Sequence, residues 1–141
     1  MEQRDARQPP DVSHEFENEP DAPQKARRAL DPLFHDGDPI ADDVKLVASE
    51  LVTNVVLHTD SGGVMQAWSA EPFVLNVTNS ATGAPQSRTT DDDVGGRGLH
   101  IVAELADEWG TTPTPAGKTV RASFERPAQE QADTTNSQGE V

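Results

Sequence analysis

Cysteine does not occur in the 141 residues. Disulfides, thiolate catalysis and cysteine-ligated metal centres are therefore excluded, and a reducing cytoplasm is permitted. Basic side chains are scarce: 11 Lys and Arg stand against 25 Asp and Glu, a formal charge of −14. A nucleic-acid partner wants a Lys/Arg patch, so this balance argues against direct contact with a phosphate backbone. It suits a soluble chain that meets a basic protein surface, or acidity that serves solubility alone. Long apolar runs are missing too. No stretch approaches a membrane span or a signal h-region, and the opening MEQRDARQPPD is polar throughout, so no membrane partner is expected and the expected location is the cytoplasm.

What is present divides into a domain and two tails. Residues 1–15 and 127–141 are poor in core-forming side chains and are expected to be disordered, because they cannot bury enough surface to offset chain entropy. A single domain is expected over 16–126, with a short strand around Phe16. DAPQKARRALDPLF predicts a helix with Asp21 at its N-cap, closed by Pro32 and the HDGDP cluster. Asp38-Pro39 opens a second helix, with Asp38 as N-cap and Pro39 at the first helical position. Ile40, Val44, Val47, Leu51 and Val55 follow on one stripe, the strongest periodic signal in the chain. Strands are predicted near Val64–Ser69 and over Phe73–Asn79, where Phe73, Leu75 and Val77 share a face. A polar loop spans 80–95, GGRG at 95–98 opens a helix through about Glu108, and Val120, Ala122 and Phe124 alternate in a last strand. Helices first, then mostly sequential strands, predict an α+β two-layer sandwich with helices on one face of a mixed β-sheet.

Within the stretch ASELVTNVVLHT, Glu50, Asn54 and His58 recur every four residues. At about 100° per residue they form a polar stripe along the edge of the apolar face. A buried amide such as Asn54 must find a partner or cost roughly 1–3 kcal/mol. Three further features bear on it. Asn79 ends a strand on the parity of Phe73, Leu75 and Val77. A loop too long for a hairpin follows, and such loops are usually functional or disordered. GGRGL ends that loop at a helix start, where glycines allow close approach and free N–H groups favour anions. Together these describe a pocket with a polar helix edge, a strand-end amide, a lid and a phosphate-binding helix start. Asp91–Asp93 is expected to be a solvated acidic run, since neighbouring side chains diverge. AGKT is no Walker A loop, because position 112 is Thr where a glycine would be needed. Trp68 and Trp109 are expected to pack on the sheet or core, Trp109 alternatively at a partner interface.

SELVTNVVLH, GGRGLHIVAELADEWG and GKTVRASF resemble the stand-alone ATPase domain of the anti-sigma-factor serine kinases (RsbW-like). That family belongs to the superfamily of gyrase, heat-shock-chaperone, histidine-kinase and mismatch-repair ATPases (GHKL). The resemblance covers nearly all of residues 16–125 and implies the Bergerat-type ATP-binding fold with ATP and Mg²⁺ as cofactors. It implies that Asn54 ligates Mg²⁺ through its amide oxygen, the donor a hard cation prefers. Glu50 is implied as general base or as the carboxylate that orients the nucleophile in phosphoryl transfer. His58 continues the edge, toward phosphate or lid or as a structural residue. Gly96, Arg97, Gly98 and Leu99 match the phosphate-binding helix start, with Arg97 offsetting phosphate charge or lying exposed on the lid. Thr119 matches a strand threonine near the adenine, or is an ordinary β-former.

The departure lies at 79. The superfamily pattern Asp-x-Gly-x-Gly stands here as Asn79-Ser80-Ala81-Thr82-Gly83. A neutral acceptor is weaker than a charged one by roughly 1 kcal/mol, which implies weakened or base-shifted nucleotide binding. Asn also offers a bidentate alternative, its oxygen accepting from the adenine amine and its NH₂ donating to a ring nitrogen. The resemblance implies a serine kinase that acts as an anti-sigma factor, with a sigma factor or equivalent regulator and a small antagonist protein as partners, and a homodimer. The competing expectation is a module that sequesters a protein without chemistry and holds nucleotide weakly or not at all.

Overall fold

The structure is a computed structural model, and it describes residues 8–79, 99–115 and 117–127. The element order is β1 (Val12–Phe16), α1 (Ala22–Leu30), a 3₁₀ turn (Asp31–Leu33), α2 (Ala41–His58), β2 (Gly63–Trp68), β3 (Phe73–Asn79), α3 (His100–Leu105), β4 (Glu108–Thr114) and β5 (Gly117–Phe124). The strands form one five-stranded sheet in the order β1-β2-β3-β5-β4. Every pairing is antiparallel, so the α+β class is as expected while the sheet is not mixed. Hairpin links join β2 to β3 and β4 to β5, and α3 lies between β3 and β4 in the chain.

The core follows from two periodicities meeting. Along α2, Val44, Val47, Leu51 and Val55 are buried at the predicted helical spacing, with Ile40 just before the helix. Beneath them, Met65 and Ala67 of β2, Phe73, Leu75 and Val77 of β3, and Val120, Ala122 and Phe124 of β5 form the same hydrophobic cluster. Phe73 stacks on Phe34 at 5.3 Å and meets Phe124 edge-on at 6.4 Å. Each large side chain so buried contributes about 1.5–3 kcal/mol. Acidic Asp42 and Asp43 in the first turn of α2, and His58 in its last, suit the helix dipole.

Several boundaries differ from expectation, each for a physical reason. β1 begins at Val12, inside the stretch expected as tail, because Asp11 N–H bonds to Ala67 O (2.8 Å), Asp11 Oδ2 accepts from Ser69 N–H (2.7 Å) and Trp68 Nε1 donates to Gln8 O (2.9 Å). Asp21 makes no side-chain cap to α1; its carboxylate lies 3.5 Å from Lys25 Nζ instead. Asp38 is not the N-cap of α2, which starts at Ala41 after Ile40. Its carboxylate is buried and held by Arg126, Nε to Oδ1 at 3.3 Å and Nη2 to Oδ2 at 3.2 Å; a buried charge needs a charged partner more than a helix needs a cap. The last helix ends at Leu105, not near Glu108, since the chain turns into β4 with Asp107 N–H on Ser123 O at 2.9 Å. In it Val102 is buried and Ala103 exposed. β4 itself was not predicted. EWGTTPT lacks apolar alternation and is exposed along almost its whole length, as an edge strand carrying Pro113 can be. Among the described residues, no helix is long and apolar enough to cross a membrane.

Candidate functional site

The polar edge of α2 is built as its spacing predicts. Glu50, Asn54 and His58 are half-buried, beside the fully buried positions 47, 48, 51, 52 and 55. Among the described residues no hydrogen bond or ion pair engages the side chain of any of the three. The helix that carries them is anchored at its C-terminal end. Asn18 Nδ2 donates to Val56 O and Thr59 O at 3.0 Å each, and Thr59 Oγ1 donates to Val55 O at 2.8 Å. The carbonyls at the end of α2 are thus satisfied by side chains, which holds His58 in its turn. Sequence reasoning passed over Asn18, whose contacts lie 38 and 41 positions along the chain.

The second candidate position, Asn79, lies where β3 ends. Asn79 is 9% exposed and continues the core-facing parity of Phe73, Leu75 and Val77. Its Oδ1 accepts the backbone N–H of Lys118 at 3.2 Å. The carboxamide rests over the start of β5, so close that a Cβ added to Gly117 would stand 1.7 Å from Oδ1. Gly117 is therefore the residue that makes room for this side chain.

Thr119 does not join Asn79. Its hydroxyl shares a 2.7 Å hydrogen bond with that of Thr78, its register partner, on the face turned away from the helices. Strand parity therefore separates Thr119 from Asn79. Val120, Ala122 and Phe124 face the core, so Lys118 shares their face and Thr119 does not. Lys118 meets Asn79 through its backbone N–H, a contact that depends on the register of β5 against β3.

Leu99 immediately precedes α3 and packs, partly buried, against the core. Gly83, Gly96, Arg97, Gly98, the expected lid and Asp91–Asp93 lie outside the described residues. Among the described residues no group of three or more His, Asp or Glu side chains could hold a metal by itself.

With this geometry in place, comparison with known families is decisive. The model of the histidine kinase-like ATPase domain matches residues 16–124. The chain belongs to the histidine kinase-like ATPase family. Its matched region runs from the last residue of β1 to the last of β5, so this histidine kinase-like ATPase domain comprises nearly the whole sandwich. No curated protein matches the chain.

Proposed function

We propose that the domain binds a purine nucleoside triphosphate with Mg²⁺ along the polar edge of α2, and that it is a regulatory serine kinase of the anti-sigma type. Family membership supports ATP as the nucleotide class and a regulatory role. The observation that carries the reading is the half-buried trio Glu50, Asn54 and His58, which meets no partner among the described residues. A carboxylate, an amide oxygen and an imidazole left unengaged on a rigid helix suit a ligand better than they suit stability. Asn54 supplies the oxygen for the cation. Bound Mg²⁺ would supply charge neutralisation on the phosphates. Glu50 accepts the proton of a serine hydroxyl on the protein substrate as that oxygen attacks the γ-phosphorus, the bond from phosphorus to the β–γ bridging oxygen breaks, and the nucleoside diphosphate leaves. Asn79 contacts the base. The regulator restrained by the domain and the small antagonist phosphorylated by it belong to the same proposal, as does a homodimer.

The test is transfer of labelled phosphate from nucleotide to candidate antagonist proteins. Glu50→Gln is expected to lower the rate by at least ~10²-fold, in the range for a general base, while leaving nucleotide affinity within about twofold. Transfer undiminished in Glu50→Gln would remove Glu50 from the chemistry. A second reading, sequestration of a protein without chemistry, is favoured by the neutral Asn79 at a position where the resemblance implies a charged acceptor. Binding of a partner at full affinity by protein stripped of nucleotide, with no transfer to any antagonist, supports that second reading.

A further inference from the structure

On the interior strands β2, β3 and β5, the helix-facing positions carry glycine or apolar side chains, with two exceptions that lie side by side. One is Asn79. The other is Lys118, one step past the register pair Thr78 and Thr119 and on the parity of Val120, Ala122 and Phe124. Lys118 is half-buried, and among the described residues its ammonium makes no hydrogen bond or ion pair. Its cross-strand neighbours, Asn79 on β3 and Pro113 on β4, are both neutral. In a chain of 25 acids and 11 bases, a cation so placed lacks the counter-charge that is abundant elsewhere. An exposed lysine needs none, because water solvates it; a half-buried one gains from an anion.

Two contacts fix where in the sandwich this cation lies. Arg126, just past β5, binds Asp38, just ahead of α2. At the other end, α2 passes into β2 through residues 59–62, and Gly63 of β2 is the register partner of Asn79. The helix therefore runs antiparallel to β5, its last turns beside the start of that strand. Asn54 and His58 of the polar edge and the Asn79–Lys118 pair occupy the same end of the molecule. Of the parts of a nucleotide bound there, the phosphates alone carry the charge opposite to that of an ammonium.

We propose that Lys118 Nζ binds the phosphate chain of the nucleotide, so that β5 contributes a cationic residue to the site beside the polar edge of α2. This rests on the reading of that edge and Asn79 as a nucleotide site and adds a positive group to it. The neutral residue at 79 is part of the reason. A carboxylate there would pair with the ammonium across the strands, whereas asparagine leaves the charge to the ligand. The flexible lysine stem carries that charge beyond the base that Asn79 contacts.

Calorimetric titration of the full chain with ATP and Mg²⁺, at low and at high ionic strength, tests the proposal in the parent, Lys118→Met and Lys118→Arg. Lys118→Met keeps the backbone N–H that holds Asn79, and an unchanged melting profile shows that it is folded; Lys118→Gln takes its place if the profile changes. Loss of the ammonium is expected to weaken ATP binding about tenfold at low ionic strength, the lower end for a hydrogen bond to a charged group. It is also expected to flatten the dependence on salt, while Lys118→Arg, which keeps the charge, retains most of the affinity and that dependence. ATP bound equally well by the parent and Lys118→Met, with Asn54→Ala abolishing Mg²⁺-dependent binding, overturns the role of Lys118 and leaves the nucleotide reading standing. Weakened binding with a salt dependence equal to the parent's means lost packing and overturns the charge contact. No heat with ATP in the parent overturns both readings together.

Discussion

Asp38 has a side chain with no solvent exposure, and its partner Arg126 is 22% exposed at the side chain. Burial alone would raise the Asp38 pKa, but hydrogen bonds from Arg126 and from Ile40 N–H, with the nearby positive charge, outweigh it and hold the carboxyl below its ordinary value. Arg126 is correspondingly raised, chiefly by its hydrogen bond to Asp38. Because the folded pKa is the lower one, the pair contributes its stability above the ordinary carboxylate range and loses it as pH falls through the folded value. Arg126→Met is expected to cost about 3–5 kcal/mol in urea unfolding at neutral pH, since it strands a buried charge. Asp38→Asn is expected to flatten the acid limb of the stability profile; an acid limb of unchanged slope would show that other carboxylates carry it. Gly117 offers a second test at this scale. Gly117→Ala is expected to destabilise by about 1–3 kcal/mol through collision with the Asn79 carboxamide. Most of that loss is expected to vanish in the Asn79→Ala background, a coupling read from a double-mutant cycle.

At the scale of the element, α2 shows how one helix serves core and site together. Its apolar stripe is buried, its polar edge is half-buried, and Leu46 and Leu57 lie exposed at 41% and 68%. Leu51→Ala is expected to cost about 2–5 kcal/mol, because Leu51 is 2% exposed within the central cluster. Leu57→Ser is expected to fall within about 0.5 kcal/mol of the parent, which thermal unfolding of the two variants side by side checks. A large loss in Leu57→Ser would mean that this leucine is covered in solution. The strands teach a complementary lesson. Phe73–Asn79 was legible to the residue because a central strand carries dense apolar alternation. β4 was not, because an edge strand draws its order from hydrogen bonds to β5 more than from its own side chains.

For the molecule as a whole, the proposed function and stability can be tested separately along α2. Asn54 is half-buried but engages nothing among the described residues. Asn54→Ala is therefore expected to change stability by less than about 1 kcal/mol while removing Mg²⁺-dependent nucleotide binding, checked by melting and titration of the same preparation. Equal loss of both would assign Asn54 to the fold. The sequence by itself determined the sandwich: its helical stripe, its two central strands and the four-residue spacing of Glu50, Asn54 and His58 are local periodicities, and local periodicity survives in one dimension. Only the tertiary structure decided which residue faces Asn79, that Asp38 serves Arg126 as well as the start of α2, and that residues 12–15 belong to the sheet. Those outcomes depend on partners as far as 88 positions away, and a chain read in order carries no record of which distant groups a fold will bring within hydrogen-bonding reach.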